Sequence, residues 1–168
     1  MRRHLRILGI DPGTRLIGFG LLECARVVSI QSKDYRVIDA GVLRTDPKSS
    51  TFSRVGAIHQ AMYELAIELK PTLCVIESAF FGCNPQSALK LGQARGALMA
   101  AMSRCAVPVK EIAPTKVKKI ITGHGHGDKE AISLALKRLL KFQKGRLPFD
   151  VTDALAIALS YGISGESL

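Results

Sequence analysis

Short apolar runs and amphipathic stretches take turns along the chain, and their order predicts most of its elements. Leu5 to Ile10 is an apolar run ended by Asp11-Pro12-Gly13, which reads as a buried strand stopped by a turn. Leu16 to Cys24 and Tyr35 to Thr45 read as two further strands, so the chain is expected to open with an antiparallel meander. Ser and Thr residues from Ser49 to Ser53 offer N-caps. Val55, Ile58, Met62, Leu65 and Leu69 then recur at three- and four-residue intervals along one helical face, which Pro71 ends. Leu73 to Ile76 is a second buried strand running into Glu77. A long helix is expected from about Asn84 to Cys105, then a short strand around Val107 to Lys110 and a helix over the basic segment Pro114 to Ile121. Gly123-His124-Gly125-His126-Gly127 is a loop, because glycine disfavours a helix interior. Asp128 can cap a helix that reaches roughly Lys141, and a last helix starts near Asp150 and carries Ala154 to Leu159. Three early strands followed by strands alternating with helices predict an α/β domain, a mixed sheet with helices packed on it.

At 168 residues, without repeat, low-complexity tract or linker, the chain fits one domain over residues 1–168. A hydrophobic content of 47% excludes disorder as the organising state. No apolar run approaches the roughly 18 to 20 residues that cross a bilayer, so no membrane span is expected. Met1-Arg2-Arg3-His4 mimics the charged start of a signal peptide, but Asp11 and Pro12 interrupt the apolar stretch behind it, and it is read as structure. The four cysteines (Cys24, Cys74, Cys83, Cys105) lack zinc-site spacing and read as free thiols in a reducing, cytoplasmic setting. A net charge of +10 favours a polyanionic partner, without separating nucleic acid from an anionic membrane surface.

The acids carry the chemical signal. Asp11 ends the first buried strand and Glu77 ends the later one. If these strands are parallel neighbours, both carboxylates emerge at the same sheet edge, where open α/β sheets place ligands. Asp150 and Asp153, three apart at the start of a helix, share a face. Four clustered carboxylates repel and need cations. Oxygen-only ligands suit Mg²⁺ or Mn²⁺, and two such ions can activate water and stabilise the leaving oxygen of a phosphodiester. Each acid also has a plain structural reading: Asp11 as a turn former, Asp150 as an N-cap, Glu77 as a solvated strand end.

Lys110, Lys116, Lys118 and Lys119 crowd one region and Lys129 opens the helix after the glycine loop, where lysines and free N–H groups suit phosphate. Lys137, Arg138, Lys141, Lys144 and Arg146 read as solvated surface. His124 and His126 are read as loop residues, not metal ligands, and Gly-His-Gly-Asp-Lys lacks the glycine spacing of a P-loop. Ala88, Gly92, Gly96 and Ala100 form a small-residue stripe along which the chain's own sheet or a second subunit can come close.

Three of these segments carry a resemblance. Ile10-Asp11-Pro12-Gly13-Thr14, the long stretch Asn84-Pro85-Gln86-Ser87-Ala88-Leu89-Lys90-Leu91-Gly92-Gln93-Ala94-Arg95-Gly96, and Asp150-x-x-Asp153-Ala154-Leu155-Ala156 are similar, in order and spacing, to motifs of the RuvC family of Holliday-junction resolvases. The match runs from about Ile7 to Leu159. The resemblance implies a ribonuclease-H-like fold, with a mixed five-stranded sheet and helices on both faces. It also implies a homodimer that makes paired nicks in a four-way DNA junction using Mg²⁺ or Mn²⁺, two ions per site. It assigns catalysis and metal binding to Asp11, Glu77, Asp150 and Asp153, a base-pushing role to Phe80, and DNA contacts to Lys118 and Lys129. Cooperation with a branch-migration helicase is a further implication. Two departures stand out: Cys83 replaces a common lysine, and Val151-Thr152 replaces smaller residues between the closing acids. Three other readings stay open. They are a ribonuclease-H-like nuclease on structured RNA, a non-catalytic junction-binding protein, and an actin-like phosphotransferase, which needs two such lobes.

Overall fold

The computed structural model describes residues 4–25, 35–78, 84–123, 128–140 and 147–164. Phe80, Cys83, His124, His126, Lys141, Lys144 and Arg146 lie outside them. The elements follow the predicted order: β1 (His4–Asp11), β2 (Leu16–Ala25), β3 (Arg36–Arg44), α1 (Thr51–Leu69), β4 (Leu73–Glu77), α2 (Pro85–Arg104), β5 (Val109–Ile112), α3 (Pro114–Thr122), α4 (Lys129–Leu139) and α5 (Phe149–Ser164). Caps act where the sequence offered them. Ser50 accepts the Ser53 N–H at the start of α1, and Asp128 accepts the Ala131 N–H at the start of α4. Lys70, left-handed at φ 46°, closes α1 just before Pro71. Asp150 is not a cap, because α5 begins one residue earlier and Asp150 sits in its first turn.

The five strands form one sheet in the order β3-β2-β1-β4-β5. The first three are the expected antiparallel meander, while β4 runs parallel to β1 and β5 parallel to β4. Strand alternation divides the core in two. Leu8, Ile10, Leu21, Cys74 and Ile76 face α1 and α2, where Ile58, Met62, Leu98 and Met102 meet them. Ile7, Leu22, Leu73 and Val75 face α3, α4 and α5. This is the ribonuclease-H-like arrangement, with helices on both faces as expected.

The second face is the closer-packed one. A Cβ at Gly9 would lie 2.1 Å from the Ala154 carbonyl oxygen, and one at Gly18 would lie 2.0 Å from that of Asp150. Only glycine lets α5 lie directly on β1 and β2. Residues Ala154 through Gly162 of α5 are all buried, which is why the helix shows no amphipathic stripe in the sequence. The small-residue stripe of α2 faces the other way: Gly92 and Gly96 are exposed, and among the described residues nothing lies near a Cβ at either. The chain's own sheet is therefore not the stripe's partner. The buried face of α2 is instead Ala94, Arg95, Ala97, Leu98, Ala101 and Met102. Among the described residues no helix is long and apolar enough to cross a membrane.

Candidate active site

Parallel pairing of Ile10 with Ile76 sets Asp11 and Glu77, one residue further on, side by side at the carboxyl ends of β1 and β4. Both belong to the alternate set that faces α5. Seated on Gly9 and Gly18, α5 delivers Asp153 to the same place. The result is a cleft lined by Asp11, Glu77 and Asp153, with Lys118 from α3 and Asp128 and Lys129 from the start of α4. Three of the four predicted acids thus share one cleft. Asp150, the fourth, stands near enough for its charge to reach both Asp11 and Asp153.

The electrostatics record the crowding. Burial pushes the Asp11 carboxyl up to about 6, and the charges of Asp153 and Asp150 add to the rise against the opposing effect of Lys129. Glu77 is raised by burial, then by Asp11 and Asp153, with Lys118 and Arg95 pulling the other way. Asp153 is raised by burial and by Asp150, and lowered by Lys129 and Lys118. Carboxylates that raise one another in a half-buried cleft form a site that gains from an added cation. An all-oxygen set of this kind fits a hard divalent ion. Among the described residues no three acid, histidine or cysteine side chains already form a ligand cage. The Lys129 Nζ instead reaches Asp153 Oδ2 at 3.4 Å while lying 5.4 Å from the centre of the Phe149 ring.

Arg95 belongs to this site, and the sequence reading gave it no role. Arg95, only 6% exposed, donates through Nη1 to the backbone carbonyl of Glu77 and through Nη2 to Glu111 Oε1 on β5 at 2.7 Å. The Ser78 N–H donates to the Ile112 carbonyl at 2.8 Å, so the backbone carrying Glu77 is tied on both sides. A signal was present. Leu91, Arg95, Leu98 and Met102 fall at helical spacing, and a charge on an apolar stripe needs a buried partner.

Comparison with known proteins decides the family. A sequence profile described as "Crossover junction endodeoxyribonuclease RuvC" matches residues 7–161. The chain belongs to the RuvC family. Among curated members, that of Chlorobium phaeovibrioides is 44% identical over 154 residues, covering 91% of this chain and 78% of the relative. The Thermosipho melanesiensis member is 38% identical, covering 92% of this chain and 94% of its own. The solved structure of Thermus thermophilus RuvC in complex with Holliday junction substrate superposes with a TM-score of 0.85 at 32% identity, covering 95% of this chain and 94% of that one. A yeast mitochondrial Holliday junction resolvase shares the fold at 16% identity, with a TM-score of 0.58 over 96% of this chain and 79% of its own. Membership of the RuvC family makes this chain a nuclease, a hydrolase of the crossover junction endodeoxyribonuclease class. Nucleases of this family depend on divalent metal ions.

Proposed function

We propose that this chain resolves four-way (Holliday) DNA junctions by paired symmetric nicks in homologous recombination and repair. Asp11, Glu77, Asp150 and Asp153 hold the divalent ions, and the charge of Asp150 acts on both Asp11 and Asp153. The observation that carries the reading is the meeting of three carboxylates from β1, β4 and α5 between Lys118 and Lys129. The ions are Mg²⁺, with Mn²⁺ as substitute, two per site, and when bound they supply activation of water and stabilisation of the leaving oxygen. The chain's own groups do the placing. The cleft presents its carboxylates from rigid strand ends and a buried helix, and Lys118 and Lys129 draw in the phosphodiester. Lys129 serves two states: without DNA its ammonium neutralises Asp153, and with DNA it turns to phosphate.

The working unit is a homodimer, since a two-fold enzyme meets equivalent strands of a junction with two-fold symmetry. The exposed stripe of α2 is the face open to a second copy. The chain acts as one domain in the cytoplasm beside a branch-migration helicase, and Phe80 pushes between bases at the crossover. A synthetic four-way junction with Mg²⁺ and linear duplex competitor tests the reading on wild type and Asp153→Asn. Wild type is expected to make paired symmetric nicks, and Asp153→Asn to bind the junction but cut about 100- to 1,000-fold more slowly, the loss of one key transition-state stabiliser. Junction binding without nicks by wild type, in Mg²⁺ or Mn²⁺ and across varied core sequences, would leave only a binding module.

A further inference from the structure

The sheet edge that carries Asp11 continues past the cleft toward β3, and it is basic there as well. Antiparallel pairing sets Asp11 against Gly18, Gly18 against Val42, and Leu16 against Arg44. Strand alternation then puts Arg44 on the sheet face from which Asp11 and Glu77 arise. Two strand spacings across and two residues along place the Arg44 Cα about 12 Å from that of Asp11. Arg15 lies immediately before β2, and its backbone carbonyl meets the residue that follows Arg44.

This corner is rigid. The Thr45 N–H donates to the Arg15 carbonyl at 3.0 Å, and the Thr45 hydroxyl donates to the Thr14 carbonyl at 3.0 Å. Gly13 is packed so closely that a Cβ there would lie 2.1 Å from the Leu16 carbonyl oxygen. Arg15 and Arg44 are both exposed, and neither guanidinium has an ion-pair partner among the described residues. Asp46 accepts the Lys48 N–H and the Ser49 hydroxyl at 2.9 Å each, and the charge of Arg54 also acts on it.

We propose that Arg15 and Arg44 hold the sugar-phosphate backbone of the junction arm that leaves the cleft on the β3 side, opposite Lys118 and Lys129. This rests on the resolvase reading above. A strand whose phosphodiester lies at Asp11 must run out of the cleft in both directions. A point about 12 Å away lies only a few phosphates from the cut. Two guanidiniums without an ion-pair partner among the described residues suit that backbone, since arginine meets phosphate in a planar, two-pronged contact. The contact is independent of base identity. It positions the arm and does not read it.

The test is junction binding in EDTA across 50 to 200 mM salt, followed by single-turnover cleavage with saturating protein and Mg²⁺. The proteins are wild type, Arg15→Ala/Arg44→Ala, each single variant, and Lys137→Gln as an exposed-charge control. Each arginine is expected to lower the slope of log affinity against log salt by about 1, and the pair by about 2. The double variant should bind about tenfold or more weakly at physiological salt. Once saturated, it should cleave within about threefold of wild type, with Lys137→Gln unchanged throughout. A double variant with wild-type slope and affinity would overturn the proposal, as would an equal loss in Lys137→Gln, which would mean net charge alone was read. Wild type that binds but never nicks would sink the resolvase reading while leaving the slope comparison intact.

Discussion

The two faces of the sheet are packed by different means, and the difference tracks their tasks. The face covered by α1 and α2 is a conventional apolar layer: Ile58, Met62, Leu98 and Met102 fill it with side chains, and both helices keep an exposed side. On the other face α5 is laid on β1 and β2 almost backbone to backbone, with glycines at the contact. Side-chain layers tolerate small adjustments because rotamers can move. A backbone contact leaves little freedom, so the carboxylates of α5 are held at a set height above Asp11. The first face supplies stability and the second supplies position. Arg95 joins them, reaching from the buried side of α2 to the carbonyl of Glu77.

Breaking the second face should have the largest effect. Gly18→Ala puts a Cβ into the Asp150 carbonyl, so the start of α5 must lift. The expected cost is about 3 kcal/mol of stability, the upper range for overpacking. Junction cleavage should fall at least 100-fold even in the folded fraction, read by denaturant melts beside cleavage at a temperature where the variant is folded. Cleavage that tracks only the folded fraction would show that α5 relaxes without disturbing the acids.

The first face should respond the other way. Leu98→Ala removes a fully buried side chain and should cost roughly 2 to 5 kcal/mol. Cleavage per folded molecule should stay within about twofold of wild type. A large catalytic loss at full folding would mean that the α2 layer also sets the site.

The smallest effect sharpens the electrostatic side of the comparison. Because Asp11 titrates near 6 in the folded chain against an ordinary value of 3.8, the metal-free folded state binds more protons than the unfolded one between about pH 4 and 6. Its contribution therefore favours folding at low pH and is lost as pH rises through about 6. In EDTA, Asp11→Asn should remove part of that dependence and melt above wild type at pH 7. An unchanged pH profile would mean the crowding is relieved in solution. Adding Mg²⁺ at pH 7 should raise the melting temperature of wild type more than that of the variant.

Much of this molecule was legible as pattern. The order of strands and helices, the caps at Ser50 and Asp128, and the likeness of three motifs to one nuclease family all sit in local sequence, where periodicity and turn chemistry act. The meeting of Asp11 with Glu77 could also be anticipated, since both end buried strands, but it depended on β1 and β4 being parallel neighbours. That pairing joins residues more than sixty positions apart and has no local signature.

Four matters were left to the tertiary structure. The sequence put Asp150 and Asp153 on one helix face. Only the seat of α5 on Gly9 and Gly18 brought that face to Asp11 and Glu77. The sequence showed a small-residue stripe on α2, and only packing turned it outward. Arg95 appeared as one more residue of a motif until burial gave it two partners. Arg15 and Arg44 are far apart along the chain, and only the β2 and β3 register brings them to the corner beside the acids. The physical reason is common to all four. A sequence states which groups want water, which want apolar surroundings and which carry charge, whereas the assembly of strands and helices decides which of those groups become neighbours.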